Sequence, residues 1–133
     1  MAGKTLRHSI AIFFVVLPMA GGAYAQDSDV KRMVLQRTDV VGTTYECILG
    51  RAEIPPGMSI GRHTHQGVEV GYIAAGVLDL IVEGREPLRL KAGDSYTIPA
   101  GAVHDAANAG SSVSTALATW VVEKGKPLSQ PAP

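Results

Sequence analysis

Residues 57–76 read GMSIGRHTHQGVEVGYIAAG. Two histidines, His63 and His65, stand one residue apart, and Glu69 follows four residues after the second. On a β-strand, residues i and i+2 project from the same face, so the two imidazoles point together. Turned toward the inside of a barrel, such a pair is ready to chelate one metal ion. Glu69 keeps the same parity, but Gln66-Gly67 has the makings of a tight turn, where glycine frees the backbone to bend. Parity alone therefore leaves the direction of Glu69 open.

The rest of the chain supplies the barrel. After residue 30 no segment of convincing length carries a helical period, and no internal repeat occurs. Short β-rich runs alternate with Gly, Pro and Asn/Asp punctuation. They read as strands at 31–38, 43–54, 58–65, 68–74, 77–82, 88–91, 95–98, 104–107 and 112–123. Many short strands with regular turn signals predict an all-β sandwich or barrel. One domain, 43–123, is expected, with 26–42 as an N-terminal arm or strand. The polar, Pro-rich end EKGKPLSQPAP is expected to form a flexible tail, 124–133, disordered or draped on the surface.

Residues 1–25 do not belong to that fold. A short basic stretch (Lys4, Arg7, His8) precedes the apolar run IAIFFVVLPMA, Ile10 to Ala20, and the small-residue pattern Ala23-Tyr24-Ala25. Those three regions describe a secretory signal peptide cleaved after Ala25. A membrane anchor would need about 20 apolar residues, and this run has eleven. Periplasmic or secreted placement, without a membrane span in the mature form, is the expectation. Loss of Lys4 and Arg7 leaves 10 basic residues against 12 acidic ones, a net charge of −2. With no basic stripe, nothing favours nucleic acid or an anionic membrane as partner. Cys47 is the only cysteine, so no internal disulfide can form, and its setting in TTYECILG predicts a buried strand position.

A third histidine joins the first pair. Without the leader the chain contains only His63, His65 and His104, and His104 lies in GDSYTIPAGAVHDAAN, residues 93–108. Three imidazoles and a carboxylate suit a divalent transition metal ion: iron, manganese, nickel, zinc, cobalt or copper. Four such ligands would leave positions open for water, dioxygen or a bidentate substrate.

Here the sequence resembles the cupins. Their first motif, G-x5-H-x-H-x3-E-x6-G, is filled by Gly57, His63, His65, Glu69 and Gly76. Their second, G-x5-P-x-G-x2-H-x3-N, is filled by Gly93, Pro99, Gly101, His104 and Asn108. Sixteen residues, Val77–Ala92, separate the motifs, close to the short spacer of small bacterial cupins. The resemblance covers residues 43–122 and implies a single small jelly-roll β-barrel. It also implies that His63, His65, Glu69 and His104 are the metal ligands. Gly57, Gly76, Gly93 and Gly101 read as turn or close-packing residues, Asn108 as a hydrogen-bonding one, and Tyr96 and Trp120 as barrel wall.

An inward Glu69 sends Gly71 and Ile73 inward and Tyr72 outward. Gly71 then leaves room for a substrate, and Ile73, Ile98, Ala106 and Leu117 complete an apolar lining. Among enzymes that this chain resembles are quercetinase-like dioxygenases, in which an enol-type or phenolic substrate meets dioxygen at the metal; there Glu69 would be both ligand and catalytic base. A non-redox isomerase or lyase on a small organic or sugar acid is the alternative, and a non-catalytic small-molecule-binding barrel is a third. The non-redox route asks for an acid/base group besides the ligands, for which Tyr45, Tyr96, Arg51 and Arg62 are weak candidates. A sugar acid also asks for an inward Arg or Lys, which the expected lining lacks. By analogy with other small cupins, a homodimer is expected.

Overall fold

A ten-residue strand, Ser114–Glu123, runs through the middle of the molecule and pairs along its whole length with a second, Tyr45–Ile54. The computed structural model describes residues 29–133, and the expected signal peptide lies outside them. Ten strands follow in chain order: β1 Lys31–Asp39, β2 Tyr45–Ile54, β3 His63–Thr64, β4 Val68–Ala75, β5 Val77–Val82, β6 Leu88–Lys91, β7 Ser95–Ile98, β8 His104–Ala107, β9 Ser114–Glu123 and β10 Gln130–Pro131. They form two five-stranded antiparallel sheets, β1-β2-β9-β4-β7 and β10-β3-β8-β5-β6. The sheets face each other as the jelly roll of an all-β barrel, in agreement with the sequence. Among the described residues, no helix is long and apolar enough to cross a membrane.

Alternation of side chains decides what lies between the sheets. On β4, Glu69, Gly71 and Ile73 are buried while Val68, Val70 and Tyr72 are exposed. Ile54, Ile73, Leu78, Leu80, Val82, Leu90, Ile98 and Ala116 pack together in the core. Full burial of such a side chain stabilises the fold by about 1.5–3 kcal/mol. The polar cluster described below adjoins this core, with Glu69 opposite Ile98 and His104 opposite Val82. Gly57, Gly76, Gly93 and Gly101 all sit at positive φ, between 74° and 97°. These are turn positions, as their place in the motifs implied.

The structure departs from the sequence reading in four places. The run expected as one strand over 58–65 is ordered as a strand only at His63–Thr64. Gly61, at φ 90°, breaks it: Ser59 keeps an isolated bridge to Ala107, while Gly61 N donates to the Asp105 carboxylate instead of a ladder partner. Leu117 lies on the outer face, because its inward neighbours on β9 are Ala116 and Ala118. Cys47 is half-buried rather than buried, since it too takes the outer face of β2. The tail contributes β10, whose Gln130 and Pro131 pair with Thr64 and His63.

Asn108 closes the open side of the second motif. It is 2% exposed. Its Nδ2 donates to the Ile54 and Ser112 carbonyls at 2.7 Å each, and its Oδ1 accepts from Gly110 N. Three satisfied bonds make it the latch between the β8–β9 turn and the end of β2.

Candidate metal centre

The two sheets contribute complementary halves of the site. From the second sheet come His63 and His104, which are direct cross-strand partners, and His65 just beyond β3. From the first comes Glu69 on β4, opposite Ile98 on β7 and Trp120 on β9. The ligand atoms of His63, His65, Glu69 and His104 all lie within 4.8 Å of one another. His65, Glu69 and His104 are buried, and His63 is half-buried. Every residue that the motifs marked for the metal arrives at one point, Glu69 included.

Hydrogen bonds fix how each imidazole faces. His63 Nδ1 lies 2.7 Å from the Gly61 carbonyl, His65 Nδ1 2.6 Å from that of Leu128, and His104 Nδ1 2.9 Å from that of Ala102. A carbonyl only accepts, so each Nδ1 donates to it and each Nε2 is turned to the centre, where a neutral ring presents a lone pair. The consequence is crowding of acceptors. His63 Nε2 and His65 Nε2 are 3.2 Å apart, and Glu69 Oε2 is 2.9 Å from His65 Nε2. His104 Nε2 lies 3.3 Å from the same oxygen but out of line for a hydrogen bond, which leaves it buried without a partner. Lone pairs converging in a buried space repel unless a proton or a metal ion sits among them. Imidazole nitrogen and carboxylate oxygen are the donor set of a divalent transition metal, and backbone carbonyls on the far nitrogens are the usual orienting partners of metal-bound histidine. The residues fit a mononuclear metal ion.

Glu69 is held by two aromatic donors as well. Tyr96 Oη donates to its Oε1 at 2.8 Å, and Trp120 Nε1 to its Oε2 at 2.9 Å. Burial by itself would push the Glu69 carboxyl up, but the His104 and His65 imidazoles and the Tyr96 hydroxyl outweigh it and hold the group well below the ordinary range. The carboxylate is ionised. Burial, then the Glu69 charge, push the Tyr96 phenol up, so it stays a neutral donor. Burial also lowers His63, helped by the other two imidazoles, and so favours its neutral, ligating form. Burial pulls His104 the same way, but the Glu69 carboxylate overrides it and raises that group.

Tyr96 and Trp120, expected as barrel wall, thus touch the site directly. Glycines make the space for them. A methyl at Gly71 would stand 2.0 Å from Tyr96 Cζ, and one at Gly50 would stand 2.7 Å from the Trp120 ring. The gap beside Glu69 that Gly71 leaves is occupied by the phenol, not by substrate. Gly71 and Tyr96 are cross-strand partners; only the register of β4 with β7 reveals it.

Beside the cluster lies a cavity of about 150 Å³. Leu80, Ala106, Ala116, Ala118 and Ile60 line it, with Leu128 and Ser129 of the tail. Of the lining expected from sequence, Ala106 is there, Ile73 and Ile98 are buried in the core, and Leu117 is outside. Arg32 also lines the cavity: it pairs with Ala52, and Ala52 packs against the core, so both lie on the inner face. The absence of an inward cation is therefore corrected. Of the acid/base candidates, Tyr96 reaches the cluster, and Arg51 lines the cavity while paired with Glu53. Tyr45 is exposed, and Arg62 is bonded to Glu83 and to the Pro133 oxygen.

A family model described as a cupin domain matches residues 50–122, and the chain belongs to the cupins. No curated protein matches it. Among solved structures, a conserved protein with a double-stranded β-helix domain from Klebsiella pneumoniae is 21% identical, with a TM-score of 0.66 over 81% of this chain and 88% of that one. A DMSP lyase from Ruegeria pomeroyi is 24% identical, with a TM-score of 0.59 over 65% of this chain and 43% of that one. An oxalate oxidase solved with the substrate analogue glycolate is 20% identical, at a TM-score of 0.57 over 65% and 52%. The chain thus spans about half or less of the length of these two enzymes, and the likeness is one of fold.

Proposed function

We propose that this protein is an exported mononuclear metalloenzyme whose small-molecule substrate reaches the metal through its own oxygens. The observation that carries the reading is the convergence of three Nε2 lone pairs and the Glu69 carboxylate beside an apolar cavity. A metal bound there would supply Lewis acidity and, for a redox-active ion, access to dioxygen. The protein's own part is positional. His63, His65, His104 and Glu69 hold the ion, while the Tyr96 and Trp120 donors keep Glu69 ionised and aimed. The aliphatic walls exclude water and take the hydrocarbon part of a substrate. Glu69 is the carboxylate placed at the cluster to take a proton from substrate.

These features support a dioxygenase acting on an enol-type or phenolic compound. Dioxygen uptake with flavonols and other enol-forming compounds, under iron, manganese or nickel loading, tests it. Failure with every metal would sink it. A non-redox lyase or isomerase on a small organic acid is the second reading, favoured by the inward Arg32. Turnover under zinc without dioxygen would decide for it.

Export rests on the leader pattern of residues 1–25; N-terminal sequencing of protein made in a bacterial host should start at Gln26. Pairing into a homodimer is supported by exposed Val68, Val70, Tyr72 and Val121 on adjacent β4 and β9. Light scattering at a single-chain mass would overturn that pairing.

A further inference from the structure

Arg32 is an exposed cation lining a cavity whose other charged side chains, Glu69 and Arg51, are already engaged. Its Nη2 donates to the Ile60 carbonyl, and among the described residues no carboxylate pairs with it. Glu69, the one carboxylate in the lining, is occupied by His65, Tyr96 and Trp120. A guanidinium offers five N–H donors in a planar fork matched to a carboxylate, and the bond to Ile60 uses one nitrogen. That bond ties β1, an edge strand, to the segment leading into β3, so the guanidinium, though exposed, is held at the edge of the cavity. Apolar walls around the remaining space weaken the competition from water for an anion placed there.

We propose that Arg32 is the carboxylate anchor of this cavity. The ligand then has two chemically distinct ends: chelating oxygens for the histidine–glutamate cluster and a carboxylate for Arg32, joined by a short apolar body. A volume of about 150 Å³ matches that of a cavity known to hold a benzene ring, which sets the size of that body to a single ring or a short chain. The inference rests on the metal-centre reading of the preceding subsection and narrows its substrate class to small carboxylic acids with a chelating end.

Calorimetric titration of the zinc-loaded full chain tests it without turnover. The probes are protocatechuate, a catechol bearing a carboxylate, and its neutral amide of nearly the same shape. Protocatechuate should bind about tenfold or more tighter than the amide, the worth of a charge-assisted hydrogen bond. In Arg32→Met and Arg32→Gln the preference should fall to within about twofold, and in Arg32→Lys part of it should remain. Equal binding of both probes by the wild type, or an undiminished preference in Arg32→Met and Arg32→Gln, overturns the anchor and leaves the metal-centre reading standing. A zinc-loaded wild type that binds neither probe overturns the chelating substrate and the anchor together.

Discussion

The imidazole of His65 is oriented by the Leu128 carbonyl, 2.6 Å from its Nδ1 and 63 residues away in sequence. The segment that carries Leu128 looks dispensable in composition, yet it lies across the barrel mouth. Its far end pairs with β3, Gln130 opposite Thr64 and Pro131 opposite His63, and Ala132 N donates to the Arg62 carbonyl. The strand that bears His63 and leads into His65 is therefore braced by the tail.

Deleting residues 127–133 should lower metal affinity by about 10- to 100-fold, the usual cost of losing the partner that orients a ligating histidine. The barrel core, built from β2, β4, β5 and β9, should stay folded. Competition titration with a chromophoric chelator and a circular-dichroism melt separate the two effects. Unchanged affinity in the truncated protein would show that Leu128 does not position His65.

His104→Ala and His63→Ala should each abolish stoichiometric metal. His104 Nε2 is buried with no hydrogen-bond partner, a cost of about 1–3 kcal/mol for a polar atom, and the ion removes it. Removal of metal from the wild type should lower Tm by about 10 °C or more where free metal stood at 100 times Kd, which is worth about 2.7 kcal/mol. Elemental analysis and calorimetry check both statements. Full metal content in both variants would refute the ligand set.

Tyr96→Phe removes a donor from an ionised, buried acceptor and keeps the ring that fills the space beside Gly71. A loss of about 1.5–3 kcal/mol in stability and about tenfold in metal affinity is expected. Trp120→Phe should act in the same direction through Glu69 Oε2. The two effects should be non-additive, since both donors act on one carboxylate. Denaturant melts and metal titration of the single and double variants measure the coupling.

Gly71→Ala places a methyl 2.0 Å from Tyr96 Cζ, and overpacking of this kind costs about 1–3 kcal/mol. The same clash should push the phenol off Glu69 and weaken metal binding. Adding Tyr96→Leu should recover part of the lost stability, because the methyl then has space. Stability and metal affinity of the pair decide it; a neutral Gly71→Ala would mean that the strands shift to accommodate the methyl.

Sequence alone determined the parts governed by short-range rules. Eight of the ten strands, β1, β2, β4, β5, β6, β7, β8 and β9, begin and end within about two residues of their expected bounds, because strand period and Gly/Pro punctuation are local properties. The two motifs named all four ligand candidates, and their glycines fell at positive φ as turns require. Contacts between elements distant in the chain were decided only by the tertiary structure. The pairing of β4 with β7 puts Tyr96 over Gly71, and that with β9 puts Trp120 on Glu69. The register of β1 with β2 sets Arg32 opposite Ala52 on the inner face, and a slip of one residue would turn it outward. The tail's role likewise depends on a backbone carbonyl, which every residue has and no side-chain pattern marks. The two histidines at 63 and 65 announce a ligand site from the sequence; what holds Glu69 and His65 in place is a matter of strand register and chain path.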